Sequence, residues 1–104
     1  MRADGWLPAV TSIYSNYTIS KIDFRIHCYN SGTITLTLPI PTNSDLGLRY
    51  EIRAMYASDV IVSAPNSYYP LWYEGIKTSH TIGDYDCIML VWDGSYWVIN
   101  TMGQ

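Results

Sequence analysis

The chain has 104 residues and a formal net charge of −3, and only 14% of its residues are charged. This length allows one domain with a modest core, which we place over residues 1–104. Six Lys and Arg spread along an acidic chain form no basic stripe, so we expect no nucleic-acid binding. The sequence has no apolar run of ~20 residues and no apolar signal region near its N-terminus, so we expect neither membrane insertion nor secretion.

The aromatic residues are nearly all of the kind that carries a polar atom. Ten tyrosines and four tryptophans stand beside a single phenylalanine. Such rings suit half-buried positions, where the ring packs and the hydroxyl or indole N–H stays in water. Together with the low charge, they indicate that part of the surface is covered by a subunit interface or binds a ligand.

Two alternating stretches in the first half predict a β-hairpin. Residues 22–29 place apolar side chains on one face and polar ones on the other, which is the period of a half-buried strand. The apolar set is Ile22, Phe24, Ile26 and Cys28. Asn30-Ser31-Gly32 then predicts a turn, and residues 33–38 alternate again. Two strands joined by so short a turn are typical of a hairpin.

Prolines and a long aromatic stretch divide the middle of the chain. Pro39 and Pro41 end the preceding strand, because each removes a backbone donor. Residues 48–55 fit both a helix face and a strand, and a flanking glycine and the short length favour a strand. Residues 60–62 predict a short β-branched strand. Residues 65–77 contain two prolines, four aromatic rings and no period, so we expect a long loop held together by its own rings.

Residues 86–101 give the clearest prediction, a terminal β-hairpin. Apolar residues alternate along both strands, and Asp93-Gly94 between them is typical of a type I′ turn. Both faces of the first strand are apolar, which indicates a central strand or one that faces another subunit. The candidate interface residues are Met89, Val91, Trp92 and Trp97. The whole chain therefore predicts an all-β fold, an antiparallel β-sandwich or jelly-roll-like domain of about seven or eight short strands.

No residue pattern predicts catalysis, so we expect a protein that is not an enzyme and needs no cofactor. No serine lies in a nucleophile signature, and no Gly-rich phosphate cradle precedes a helix. His27 and His80 are expected at the surface or in an interface rather than as general bases. Glu51 and Glu74 are the only glutamates, and a single acid beside aromatic rings more often binds a sugar hydroxyl than cleaves a glycosidic bond.

Metal-binding residue types concentrate between His80 and Cys87, with Asp84 and Asp86 between them. Their spacing matches no structural zinc pattern, and Asp before a strand ordinarily accepts hydrogen bonds from turn amides, so we predict no metal site. Cys28 and Cys87 are the only cysteines. We expect two buried free thiols, since a disulfide would require their Cα atoms to lie within about 7 Å.

The aromatic stretch is the best candidate for a ligand site. Its ring faces could stack on sugars while neighbouring polar groups bind the sugar hydroxyls. The candidate residues are Asn66, Tyr68, Tyr69, Trp72, Tyr73 and Glu74. The alternative is that these rings cover one end of the sandwich and pack between subunits.

Three segments resemble a module that is common in tailed-bacteriophage fibre proteins. The first is Thr-Ile-Thr-Leu-Thr-Leu-Pro at residues 33–39, followed by a short loop to Gly47. The second is Tyr-Glu-Ile-Arg at residues 50–53, and the third is the hairpin sequence Val-Trp-Asp-Gly-Ser-Tyr-Trp-Val-Ile-Asn at residues 91–100. The likeness extends over roughly residues 22–101.

The resemblance implies a homotrimeric knob or tip domain of a tail or head fibre, which attaches the virion to a host-surface glycan or another receptor. Such a protein is assembled in the host cytoplasm and is located in the virion. Residues 1–12 would then be an extended segment that continues from a fibre shaft. The family has no fixed catalytic residues. Two other functions stay open, a monomeric carbohydrate-binding module and a purely structural capsid or collar protein.

Overall fold

The computed structural model describes residues 10–83 and 85–103, which form two β-sheets of seven and four strands. The eleven strands are β1 Val10–Ile13, β2 Tyr17–Thr18, β3 Arg25–Cys28, β4 Ile34–Thr37, β5 Arg49–Ala54, β6 Val60–Ser63, β7 Leu71–Trp72, β8 Ile76–Lys77, β9 Ser79–Ile82, β10 Cys87–Trp92 and β11 Trp97–Gly103. The described residues contain one short 3-10 helix, Asn43–Asp45, and no α-helix. The all-β, sandwich-like prediction is therefore confirmed.

The directions and number of the strands differ from the prediction. The seven-stranded sheet has the order β1-β3-β5-β10-β11-β7-β8, and the four-stranded sheet has the order β2-β4-β6-β9. Five of the nine strand pairings are parallel, so the sandwich is mixed rather than antiparallel. The predicted seven or eight strands become eleven, partly because three of them are only two residues long.

Strands β1 to β6 alternate between the two sheets, and this produces the parallel pairings. Each strand crosses to the opposite layer, so strands that lie two apart along the chain become neighbours, as in β1-β3-β5 and β2-β4-β6. The predicted hairpin between residues 22–29 and 33–38 is therefore wrong, since β3 and β4 lie in different sheets. The turn after β3 is a corner, where buried Asn30 donates a hydrogen bond from Nδ2 to the Asp59 carbonyl at 3.1 Å.

The alternating pattern of residues 22–29 begins later in the structure than the sequence suggests. Ile22 is 93% exposed and lies in a turn, in which the Asp23 N–H donates to the Ser20 carbonyl at 3.0 Å. The strand begins at Arg25, and from there Ile26 and the following cysteine face the core as predicted. The turn overrides the alternation because the Asp23 carboxylate also accepts the Ser20 N–H at 2.9 Å.

The terminal hairpin is confirmed, and β10 is a central strand between β5 and β11. The turn differs in detail from type I′. Asp93 pairs with Tyr96 through a 3.0 Å backbone hydrogen bond, which leaves Gly94 and Ser95 as the two central residues. Gly94 alone of these four has a positive φ, 101°. Glycine at the first central position is typical of a type II′ turn.

A short parallel pairing attaches the aromatic stretch to this hairpin. Residues 65–77 were predicted as a loop, but they contain β7 and β8. Leu71 of β7 pairs with Trp97 and Trp72 pairs with Val98, and the Trp97 N–H also donates to the Pro70 carbonyl at 2.9 Å. Parallel strands begin at the same end of a sheet. The residues before β7 and the turn before β11 therefore lie side by side.

The core between the sheets is aliphatic around β3, β4 and β6 and becomes aromatic around the terminal hairpin. Trp97 and Tyr50 are fully buried, with ring centroids 5.7 Å apart. The Trp92 ring lies 5.6 Å from that of Trp97. These contacts join the hairpin to β5, so the aliphatic and the aromatic parts belong to one continuous core.

Candidate functional site

An open cleft lies where the aromatic stretch meets the tip of the terminal hairpin. It has a volume of about 490 Å³. The lining residues are Ser67, Tyr68, Tyr69, Pro70, Ile76, Trp92, Gly94, Ser95 and Tyr96. We call it the aromatic cleft. Tyr68 is 83% exposed at its edge, whereas Tyr69 is half-buried and packs edge-on against Trp92 at 5.8 Å. One ring is thus held by the core while the other is open to solvent.

Trp72 lies beside the cleft rather than inside it. Trp72 is 42% exposed, and its ring centroid is 5.5 Å from that of Tyr96. Together with Asp93 and Val98, these rings line a neighbouring hollow. Since Tyr96 lines both depressions, it links Trp72 to the predicted tyrosines.

Tyr73 is separated from the other predicted rings. Its centroid is 4.7 Å from the His80 ring, and both residues line a different pocket of about 280 Å³. Burial, and to a smaller extent the charge of Lys77, lower the pKa of His80 below its usual value. The four predicted rings therefore do not form one platform.

The two predicted polar groups differ in what they are free to bind. Asn66 Oδ1 accepts the Tyr68 N–H at 2.8 Å, so this side chain orders the loop and its oxygen is engaged. Glu74 is exposed and has a φ of 57°, in the left-handed region that non-glycine residues rarely adopt. Its carboxylate reaches solvent at the β7–β8 turn, which leaves it available to a ligand.

Two residues of the predicted subunit interface belong to the core instead. Trp97 is 0% exposed and Trp92 is 6% exposed, so neither can supply contact area to a partner. Met89 and Val91 are half-buried and point to the opposite, outer face of the same sheet. The sequence could not distinguish the two sets because both faces of β10 are apolar.

Sequence reasoning missed the residues that the hairpin turn contributes. Ser95 and Tyr96 line the cleft, and the Asp93 carboxylate accepts the backbone N–H of both, at 2.8 and 2.7 Å. This fixes the turn that positions Tyr96. A parallel pairing between β7 and β11 was the missing information, and nothing in residues 65–77 predicts their partner strand.

The cysteines are buried free thiols, as predicted. Burial raises the pKa of the Cys28 thiol to about 12 and also raises that of Cys87. Both therefore stay protonated near neutral pH, and a protonated thiol is a poor nucleophile and a poor metal ligand.

Three arginines that are well separated in the sequence lie together in the structure. Arg25 of β3 and Arg49 and Arg53 of β5 all point away from the core, and His27 lies opposite Arg53. The sequence contains no sign of this cluster, because its arginines are spread along the chain. Parallel pairing of β3 with β5 brings them together across a sequence gap that contains β4.

Residues 10–83 and 85–103 contain no group of three or more His, Cys, Asp or Glu that could hold a metal ion. Asp84, one of the residues considered in that context, lies outside the described residues. Within the same ranges, no helix is long and apolar enough to cross a membrane. Of the predicted N-terminal segment, residues 1–9 also lie outside the described ranges, and residues 10–12 belong to β1.

The chain matches no protein-family model, and a comparison with curated proteins found no significant relative.

Proposed function

We propose that this protein is a non-catalytic tip domain of a bacteriophage fibre, which trimerises and attaches the virion to a glycan of the host surface. The observation that carries the proposal is the aromatic cleft. Exposed and half-buried tyrosines beside backbone and hydroxyl groups are the surface that a neutral sugar needs, because ring faces stack on C–H groups and polar edges bind hydroxyls.

The resemblance of residues 33–39, 50–53 and 91–100 to phage fibre modules supports the virion location. The third of these segments forms the hairpin whose turn lines the cleft. The residues that carry the resemblance and those that carry the binding surface are therefore partly the same.

An apolar row on the outer face of the seven-stranded sheet supports trimerisation. Val91 pairs with Val98, Val98 with Trp72, and Trp72 with Ile76 across four neighbouring strands. We call these four residues the outer apolar row. Ile76 is 61% exposed. Exposed apolar residues in register over several strands are typical of a surface that another subunit covers.

Binding to isolated bacterial envelope polysaccharides and to a glycan array tests the cleft. We expect Tyr68→Ala and Tyr96→Ala to weaken binding by about tenfold, because each removes a stacking ring. Tyr14→Ala is the matched control, since Tyr14 is 69% exposed and follows β1 at the opposite edge of the sheet. If the wild-type chain binds no glycan, or if Tyr14→Ala weakens binding as much as Tyr68→Ala, the proposed site is wrong.

Light scattering tests the oligomeric state separately. We expect a mass of three chains, and we expect Val98→Lys to shift it to that of one chain, because the substitution places a charge in the outer apolar row. A monomeric wild-type chain at micromolar concentration would contradict the fibre-tip proposal.

The second candidate function is a monomeric carbohydrate-binding module. The burial of Trp92 and Trp97 favours it, since two of the four predicted interface residues are unavailable to a partner. This candidate keeps the aromatic cleft and predicts glycan binding by a single chain. The mass measurement distinguishes the two functions.

A further inference from the structure

A cluster of positive charge lies on the outer face of β3 and β5. Arg25 and His27 alternate with buried residues along β3, and Arg49, Glu51 and Arg53 do so along β5. In the parallel register Arg25 pairs with Glu51, and His27 pairs with Arg53. Neighbouring strands are about 4.8 Å apart and outward residues on one strand are about 6.6 Å apart, so the five side chains form one outward patch about 13 Å long.

The cluster is not neutralised by its own acid. Three arginines and one glutamate leave two positive charges, in a chain whose net charge is −3 and which has only six Lys and Arg. Arg49 and Arg53 form no ion pair within the described part of the chain. The outward residues of the flanking strands add no acid, since those of β1 are Val10 and Ser12 and those of β10 are Cys87, Met89 and Val91.

The single acid is more deeply buried than Arg25, with which it forms an ion pair. The Glu51 side chain is 14% exposed and that of Arg25 is 40% exposed. The contact from Arg25 Nε to Glu51 Oε1 is 3.5 Å, longer than an ordinary N–H···O hydrogen bond, and the buried Arg25 Nε has no hydrogen-bond partner in the described part of the chain. A group that approaches from solvent therefore meets the Arg25 guanidinium before the Glu51 carboxylate.

His27 lies directly opposite Arg53 on the neighbouring strand, and like charges in such a pair are destabilising, so this pairing disfavours the protonated form of His27. Consistent with this, burial first and then the charge of Arg53 lower the pKa of His27 below its usual value. The neutral imidazole is then a hydrogen-bonding neighbour of the arginines.

We propose that this cluster of Arg25, Arg49, Arg53 and His27 is a binding site for the carboxylate groups of an acidic polysaccharide. The guanidinium fork matches a carboxylate in two parallel hydrogen bonds, and an uncharged histidine can bind an adjacent sugar hydroxyl. The site lies on β3 and β5, apart from the aromatic cleft, and does not depend on the function proposed for that cleft. Two uncompensated charges are also few for a nucleic-acid site, since affinity for DNA comes mainly from the neutralisation of many phosphates.

The proposal is tested with a matched pair of oligosaccharides, an oligogalacturonate and its methyl ester. Calorimetry measures the affinity of the protein for each at low and at moderate salt. We expect the acid form to bind, the ester to bind at least about tenfold more weakly, and binding of the acid to weaken as salt is added. We expect Arg53→Gln and Arg49→Gln each to lower the affinity by about tenfold. Neither residue forms an ion pair within the described residues, so folding should persist, and a melting curve checks this.

Lys77→Gln is the control, because it removes the same charge from β8 at the far edge of the sheet. We expect it to leave binding of the acid form unchanged. Loss of binding in Tyr68→Ala but not in Arg53→Gln would place the sugar in the aromatic cleft and overturn the proposal. Equal binding of acid and ester, no binding of either, or tighter binding of a DNA duplex would overturn it too. So would competition by inorganic sulfate at equal concentration, which would indicate anion binding without sugar recognition.

Discussion

In residues 10–63 the chain changes sheet after every strand, whereas β7–β8 and β10–β11 in residues 71–103 are hairpins within the seven-stranded sheet. The first part, which we call the coiled half, is held by parallel pairing between strands that are distant in sequence. The second part, the hairpin half, is held largely by turns. The aromatic cleft belongs to the hairpin half and the arginine cluster to the coiled half. The aromatic cleft combines local turns with one parallel pairing, that of β7 with β11, whereas the arginine cluster rests on the parallel pairing of β3 with β5 alone.

The largest expected effect on stability is a difference between two tryptophans of the hairpin half, Trp97, which is buried, and Trp72, which is partly exposed. Trp97→Ala should lower the free energy of unfolding by about 3–5 kcal/mol, because it removes a fully buried ring. Trp72→Ala should lower it by less, about 1–2 kcal/mol, since 42% of the surface of Trp72 stays exposed. Chemical denaturation measures both values. Equal losses would mean that the hairpin does not share the core with the coiled half.

Trp97→Phe refines this comparison. The Nε1 of Trp97 is buried and has no hydrogen-bond partner among residues 10–83 and 85–103, and an unpaired buried donor costs about 1–3 kcal/mol. Phenylalanine keeps a ring and removes that donor, so we expect a smaller loss than for alanine. A loss as large as that of Trp97→Ala would indicate that the shape of the indole, not its apolar area, decides the packing.

A smaller effect on stability is expected from glycine substitutions in two turns, one in each half. Gly94 has a φ of 101°, and a Cβ there would meet Leu46 Cδ1 at 3.5 Å, an ordinary contact. Gly94→Ala should therefore destabilise the fold by about 1 kcal/mol through its backbone conformation alone. Gly32 lies in the corner after β3, has no positive φ and has open space around its Cα. We expect Gly32→Ala to be neutral or slightly stabilising in the same denaturation measurement, and a loss equal to that of Gly94→Ala would contradict this account.

The smallest expected effect concerns the two histidines, one in each half. Burial is the main cause that lowers the pKa of His27 and of His80 from 6.5, and Arg53 contributes only at His27. Because the unfolded chain binds the proton more tightly, stability is full above pH 6.5 and is lost as the pH falls through the lowered values.

Arg53→Gln should raise the pKa of His27 and leave that of His80 unchanged, which an NMR titration of both imidazoles can measure. The shift should shrink as salt is added. A simultaneous shift at His80 would indicate a change of structure rather than the loss of one neighbouring charge.

The sequence predicts most strands but fewer of their partners. Residues 48–55, 60–62 and 86–101 form strands much as the apolar periods indicate. The pairing of residues 22–29 with 33–38 could not be predicted correctly, because a strand in either layer has one buried and one exposed face. Alternation therefore looks the same at a hairpin and at a corner.

The candidate sites, too, could be predicted only in part, because they depend on which strands pair. The tyrosines of the aromatic stretch and the Asp93-Gly94 turn are evident from composition, but their meeting depends on the parallel pairing of β7 with β11. The arginine cluster depends on the pairing of β3 with β5 and has no local signature at all. Which tryptophans of the hairpin face inward depends on where the second layer lies, and periodicity does not contain that information.

The pairing of β7 with β11 also has a consequence for variation among related chains. A short pairing of Leu71 and Trp72, with one hydrogen bond to the Pro70 carbonyl, attaches the aromatic stretch to β11, and turns at the surface flank it before Pro70 and between β7 and β8. Doubling the length of such a turn costs only about 0.6 kcal/mol of closure entropy. Segments before and after β7 can therefore lengthen, shorten or change their rings while both sheets stay intact. A lineage could in this way exchange one ligand for another and keep the same domain.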